Sequence, residues 1–133
     1  EELCAGKKVV LFAVPGAFTP TCSVQHLPGF VTNASNLRDK GADVVACIAV
    51  NDPFVMAAWG KDRSAGEDVL MLSDGNAEFT SAIGLEMDGS GFGLGTRSQR
   101  YAMIIDDGVV STLNVESGPG LEVSSAETIL EAL

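Results

Sequence analysis

Val9-Val10-Leu11-Phe12-Ala13-Val14-Pro15-Gly16-Ala17-Phe18-Thr19-Pro20-Thr21-Cys22 is the stretch whose reading decides the fold. Its first six residues are a continuous apolar run of strand length, the pattern of a strand buried on both faces. Pro15 and Gly16 stop the run. Thr19, Pro20 and Thr21 then supply hydroxyl caps and a proline suited to the first turn of a helix. Cys22 falls in that first turn, where unpaired backbone N–H groups and the helix dipole favour a thiolate, the reactive form of the side chain.

Working outward, Val24, Leu27, Phe30, Val31, Ala34 and Leu37 recur at helical spacing and predict an amphipathic helix over residues 21–38. Pro28-Gly29 inside it predicts a kink, because Pro28 has no N–H to donate. Residues 44–50 (VVACIAV) read as a second buried strand, and Asn51-Asp52-Pro53 starts a second helix. Residues 69–72 are a third strand, followed by a turn and a short helix ending near Gly84. Residues 88–98, with glycines at 89, 91, 93 and 95, read as a loop. Strands over 100–105 and 109–115 are joined by Asp107-Gly108, a two-residue hairpin signal. Ser124 and Glu127 form a capping-box pattern before a last helix carrying Ala126, Ile129, Leu130 and Leu133. The order β-α-β-α-β-α-β-β-α predicts an α/β fold: a mixed sheet with helices on both faces, the thioredoxin arrangement with one inserted βα unit.

The bulk properties narrow the function. A chain of 133 residues, 46% hydrophobic and 20% charged, fits a single domain, 1–133. A net charge of −10 argues against nucleic acid and against anionic membrane surfaces. No apolar stretch is long enough to span a bilayer, and no signal-peptide pattern is present. Cysteines at 4, 22 and 47 make an odd count without short pairing, which points to a reducing compartment: the cytoplasm, or an organelle if a transit segment was removed. Three scattered cysteines and one histidine make no zinc site, and the alternating glycines do not match a dinucleotide fingerprint. No cofactor is expected.

Pro15-Gly16-Ala17-Phe18-Thr19-Pro20-Thr21-Cys22 resembles the active-site signature of the peroxiredoxins, Pro-x-x-x-Thr-x-x-Cys, in the wording of the type II (peroxiredoxin-five-like) group. The likeness continues in His26-Leu27-Pro28-Gly29-Phe30, Val50-Asn51-Asp52-Pro53-Phe54-Val55-Met56, Leu94-Gly95-Thr96-Arg97-Ser98 and Val123-Ser124-Ser125-Ala126-Glu127. The resemblance implies a thioredoxin-fold thiol peroxidase. Its relatives carry a hairpin segment before the first strand, and only residues 1–8 stand there in this chain, so that segment is expected to be lacking.

In that reading Cys22 is the nucleophile that attacks hydrogen peroxide or an alkyl hydroperoxide. Thr19 cradles sulfur and peroxide, accepting from one and donating to the other, and Pro15 shields the sulfur from water. Arg97, chosen over Arg100 by its matched context, is the cation that favours the thiolate. His26, four residues after Cys22, is read as packing at the mouth of the site, since a Cys–His hydrolase would need a third, orienting group. Cys47 reads as a small hydrophobe in a buried strand, and Cys4 has no assigned role. The position matching a resolving cysteine in some relatives is Val123, which implies a one-cysteine cycle recycled by glutaredoxin with glutathione, or by thioredoxin. The resemblance also implies a weak homodimer, with Phe18 and Phe54 in its contact. The alternative is a non-enzymatic thiol redox sensor of the same fold.

Overall fold

A computed structural model describes residues 4–66, 68–118 and 121–133. Five strands form the main sheet: β1 (Lys8–Ala13), β2 (Val44–Ala49), β3 (Leu70–Ser73), β6 (Tyr101–Asp106) and β7 (Val109–Val115), in the order β3-β2-β1-β6-β7. The pairs β1–β2 and β2–β3 are parallel, and the pairs β1–β6 and β6–β7 are antiparallel. Strands β2, β1, β6 and β7 are the thioredoxin core, and β3 is the inserted strand at the edge. Apolar β1 lies at the centre because both its faces are covered; residues 9–13 are all buried.

Helices α1 (Leu27–Asp39), α2 (Pro53–Asp62) and α4 (Ala126–Ala132) bring Phe30, Leu37, Met56, Trp59 and Ile129 into one cluster with Val10, Phe12, Val45, Cys47 and Ile104 of the sheet. The alternate residues of the strands, Val9, Leu11, Ile48, Tyr101 and Met103, build a second, smaller cluster on the other face. Leu85, which follows the short helix α3 (Glu78–Ala82), packs against that cluster. The strand period of two thus feeds two cores.

Local chemistry explains most boundaries. Asp52 caps α2 by accepting from the Val55 N–H at 2.8 Å, with Pro53 at the first helical position. Asp107 and Gly108 both have positive φ (49° and 81°), as a tight two-residue hairpin requires.

Three expectations are corrected. Residues 88–98 are not simply a loop: β4 (Glu86–Asp88) and β5 (Thr96–Ser98) pair antiparallel as a separate small sheet around the 3-10 turn Ser90–Phe92. The cap of α4 is Ser125, which accepts from the Thr128 N–H at 3.3 Å; Ser124 is instead drawn inward to Glu116. The proline irregularity in the first helix appears ahead of Pro28, as a π-helical turn over Cys22–His26 in which the Leu27 N–H reaches the Cys22 carbonyl. Pro28 cannot donate to the preceding turn and crowds it, and a widened turn relieves both problems.

Candidate active site

The handover from β1 to the first helix builds the site. Val14 donates to the Ile48 carbonyl at 3.2 Å, which ties the end of the apolar run to β2. The chain then turns sharply. Ala17 N–H donates to Asn51 Oδ1 at 2.9 Å, and the Thr19 hydroxyl donates to the Gly16 carbonyl at 2.6 Å. Phe18 takes a left-handed conformation, φ 64°, which costs a non-glycine residue about 1–3 kcal/mol and persists because these bonds define the turn. Gly16 sits at a close approach: a Cβ there would lie 3.1 Å from Thr19 Cγ2 and 3.5 Å from Arg97 Nη1, and would press on the Thr19 side chain.

Cys22 enters the π-helical turn with its side chain fully shielded from water. Arg100 Nη2 donates to Cys22 Sγ at 3.1 Å. Arg100 itself is only 6% exposed, and among the described residues no carboxylate forms an ion pair with it. A buried guanidinium is stabilised by counter-charge, and among the described residues the sulfur of Cys22 is the group in contact with it that is able to carry one. The pair therefore suits a sulfur that reacts as an anion.

The second Arg100 amino group, Nη1, meets His26 Nδ1 at 2.9 Å, and His26 Nε2 meets the Ser124 carbonyl at 2.8 Å. A carbonyl only accepts, so Nε2 carries the proton; a guanidinium only donates, so Nδ1 offers its lone pair. Both contacts demand a neutral ring. Burial first, and then the Arg100 charge, push His26 from its ordinary 6.5 down to about 3, which agrees with that tautomer. Ser124 is held in turn by Glu116, whose Oε2 accepts from the N–H groups of Glu122, Val123 and Ser124 and from the Ser124 hydroxyl at 2.7–2.9 Å. Burial works against the Glu116 charge, but these four donors prevail and hold its carboxyl below the ordinary range.

The sequence-derived candidates divide. Pro15, Thr19 and Arg100 line one cleft of about 670 Å³ together with Met87, Phe92 and Leu94, and Cys22 lies behind it on Arg100. The Thr19 hydroxyl has spent its proton on Gly16, so toward a ligand it offers lone pairs rather than the expected donor. Arg97 is not at the sulfur. Its Nε donates to the Leu94 carbonyl at 2.9 Å and its Nη1 to the Val50 carbonyl at 3.0 Å, fastening the β4–β5 hairpin to the end of β2. The reason lies in the register. Ala13 of β1 pairs with Tyr101 of β6, so the residue just before Tyr101 falls level with the end of β1, where the cysteine turn begins. That residue is Arg100; Arg97 belongs to the other sheet. The signal was present in the sequence, since Arg100 directly precedes the apolar run that must pair with the first strand.

His26 is not at the mouth of the site but 1% exposed, its ring tilted against both members of the stacked Phe12–Phe30 pair at centroid distances of 4.9 and 5.5 Å. Glu116 was missed altogether, and no local motif marks it. Cys47 is fully buried on β2; burial first, and then the neighbouring Cys22, push its thiol well up, which suits a packing role. Among the described residues no cluster of metal-ligating side chains is present, and no helix is long and apolar enough to cross a membrane.

Comparison with known proteins gives the family. The Redoxin family model matches residues 1–130. The chain is 59% identical to Peroxiredoxin-2E, chloroplastic, of Arabidopsis thaliana over 99% of its own length, and spans 57% of that relative. Against Peroxiredoxin-2B of the same plant it is 54% identical, covering 99% of this chain and 82% of the relative. Reduced Prx3 of Vibrio vulnificus, solved in complex with H2O2, superposes with a TM-score of 0.95 at 66% identity, covering 99% of this chain and 85% of that one.

Proposed function

Because the chain belongs to the Redoxin family, and within it to the peroxiredoxins, we propose that it is a thiol-dependent peroxidase with Cys22 as its nucleophile. The observation that carries this reading is the buried guanidinium of Arg100 held on the sulfur of Cys22. The Cys22 thiolate attacks the nearer oxygen of a hydroperoxide; the S–O bond forms as the O–O bond breaks, and the departing oxygen takes up a proton to leave as water or an alcohol. Arg100 offsets the negative charge that passes from sulfur to the leaving oxygen, in a site kept from bulk water. Thr19 accepts from the hydroperoxide O–H, and Pro15 walls the cleft. Cys22 is left as a sulfenic acid. A first external thiol condenses with it, releasing water and forming a mixed disulfide; a second thiol displaces the first and restores Cys22.

Glutaredoxin with glutathione, or thioredoxin, fits the role of external thiol, and the burial of Cys47 supports a cycle that needs no second cysteine of the chain. The names of two relatives, both chloroplastic, support an organellar rather than a cytoplasmic home; the chain spans 57% and 60% of their lengths. The test is peroxide consumption with each thiol system. Wild type and Cys47→Ser should turn over, and Cys22→Ser should be inert, because a serine hydroxyl is scarcely ionised near neutral pH. Turnover by Cys22→Ser would overturn the assignment.

A further inference from the structure

The Cys22–Arg100 contact has a support that the chemistry of peroxide reduction does not by itself require. Among the described residues Arg100 is buried without a carboxylate, and its Nε has no hydrogen-bond partner. Of its two hydrogen-bonded amino groups, one is on Cys22 and the other on His26. His26 is thus the protein group that orients the guanidinium plane, and it does so as a hydrogen-bond acceptor. Its own orientation is fixed by the Ser124 carbonyl and by tilted contacts with the stacked rings of Phe12 and Phe30. The Ser124 backbone comes from a segment 98 residues away in sequence, and the Glu116 carboxylate fastens that segment through Ser124 and its two predecessors. Glu116 also donates its own backbone N–H to the Arg100 carbonyl at 2.9 Å, so the network closes on itself.

We infer that neutral His26 is a positioning residue: it accepts from Arg100 and aims the guanidinium at the Cys22 sulfur, with Ser124 and Glu116 holding the ring in the one tautomer that can accept. A side-chain group at this place that donated instead would turn Arg100 away, since the guanidinium has no lone pair to offer. This inference rests on the peroxidase reading for its kinetic consequence, but not for its structural one.

The experiment uses His26→Phe, which keeps a ring against the stacked Phe12–Phe30 pair and removes both nitrogens. It is compared with Arg100→Met and with the double variant. The readouts are the single-turnover rate of Cys22 oxidation by hydrogen peroxide and the pH dependence of Cys22 alkylation by iodoacetamide. His26→Phe should slow oxidation by roughly 10–100-fold, the scale for a displaced transition-state donor, and move the alkylation profile to higher pH. In the Arg100→Met background the same substitution should change neither, because residues acting as one unit are not additive. His26→Asn, which can keep an acceptor near the Nδ1 position, should recover part of both losses, whereas His26→Gln, which can keep only the donor toward Ser124, should not. If the losses from His26→Phe and Arg100→Met simply add, or if His26→Phe leaves the alkylation profile in place, the positioning role is wrong. The alkylation arm needs no peroxide, so it stands or falls apart from the peroxidase reading.

Discussion

At the scale of single residues, the neutral state of His26 has a consequence for stability. Its folded value near 3, against an ordinary 6.5, means that the unfolded chain binds a proton in a range where the folded chain does not. Stability is therefore full above about pH 6.5 and falls as pH drops toward 3, by on the order of 5 kcal/mol at the lower limit. Glu116 adds a loss of the same sign, but only once the pH falls below the ordinary glutamate value of 4.5. Urea unfolding of wild type should thus show a midpoint that declines steadily between pH 6.5 and 5, and His26→Phe should flatten that stretch of the curve. An equally steep decline in the variant would mean that His26 titrates normally in the folded protein. Cys22 was legible because a whole local pattern surrounds it. The roles of His26 and Glu116 were not, because each is defined by partners 74 to 98 residues away or, for Glu116, by a loop that folds back on its carboxylate.

At the scale of elements, the π-helical turn over Cys22–His26 ties the shape of the first helix to the site. Pro28 enforces that widening, so Pro28→Ala should let the turn tighten toward regular α-helix. Thermal melting should then show a gain of about 1–3 kcal/mol, the scale of proline's cost inside a helix. Cys22 oxidation should slow by about tenfold, as the sulfur withdraws from Arg100. A variant unchanged in both respects would separate Pro28 from the turn. The helix was foreseen and its irregularity expected, yet the type of irregularity was not readable, since a missing N–H can be accommodated by a bend or by an extra residue in the turn. The β4–β5 pair escaped for a different reason. Its strands have three residues each, too few for alternation to register, and Arg97 fastens them through backbone carbonyls of Leu94 and Val50 that carry no sequence signature.

At the scale of the whole molecule, the element order and the mixed sheet were legible because apolar runs, turn residues and connection rules all agreed. What covers the outer surface was less so. Phe54 is 84% exposed on the second helix and Phe18 51% exposed on the cysteine turn, which supports the proposed weak homodimer through these two residues. With a net charge of −10 on each copy, association should tighten as salt screens repulsion. Sedimentation in low and high salt should show a concentration-dependent dimer that Phe54→Asp weakens; a monomer throughout the micromolar range in both salts would contradict it.

The most direct measurement is single-turnover oxidation of the reduced protein by one equivalent of hydrogen peroxide, followed by stopped flow and by intact mass. Wild type should gain one oxygen atom on Cys22. Arg100→Met should slow that gain by ~100-fold or more, the scale for losing a charge-stabilising donor, while Arg97→Met, which loses the ties from the hairpin to the end of β2 but no bond to the sulfur, should slow it far less. Oxygen added at Cys4 or Cys47 instead, or a rate that depends on Arg97 and not on Arg100, would contradict the account.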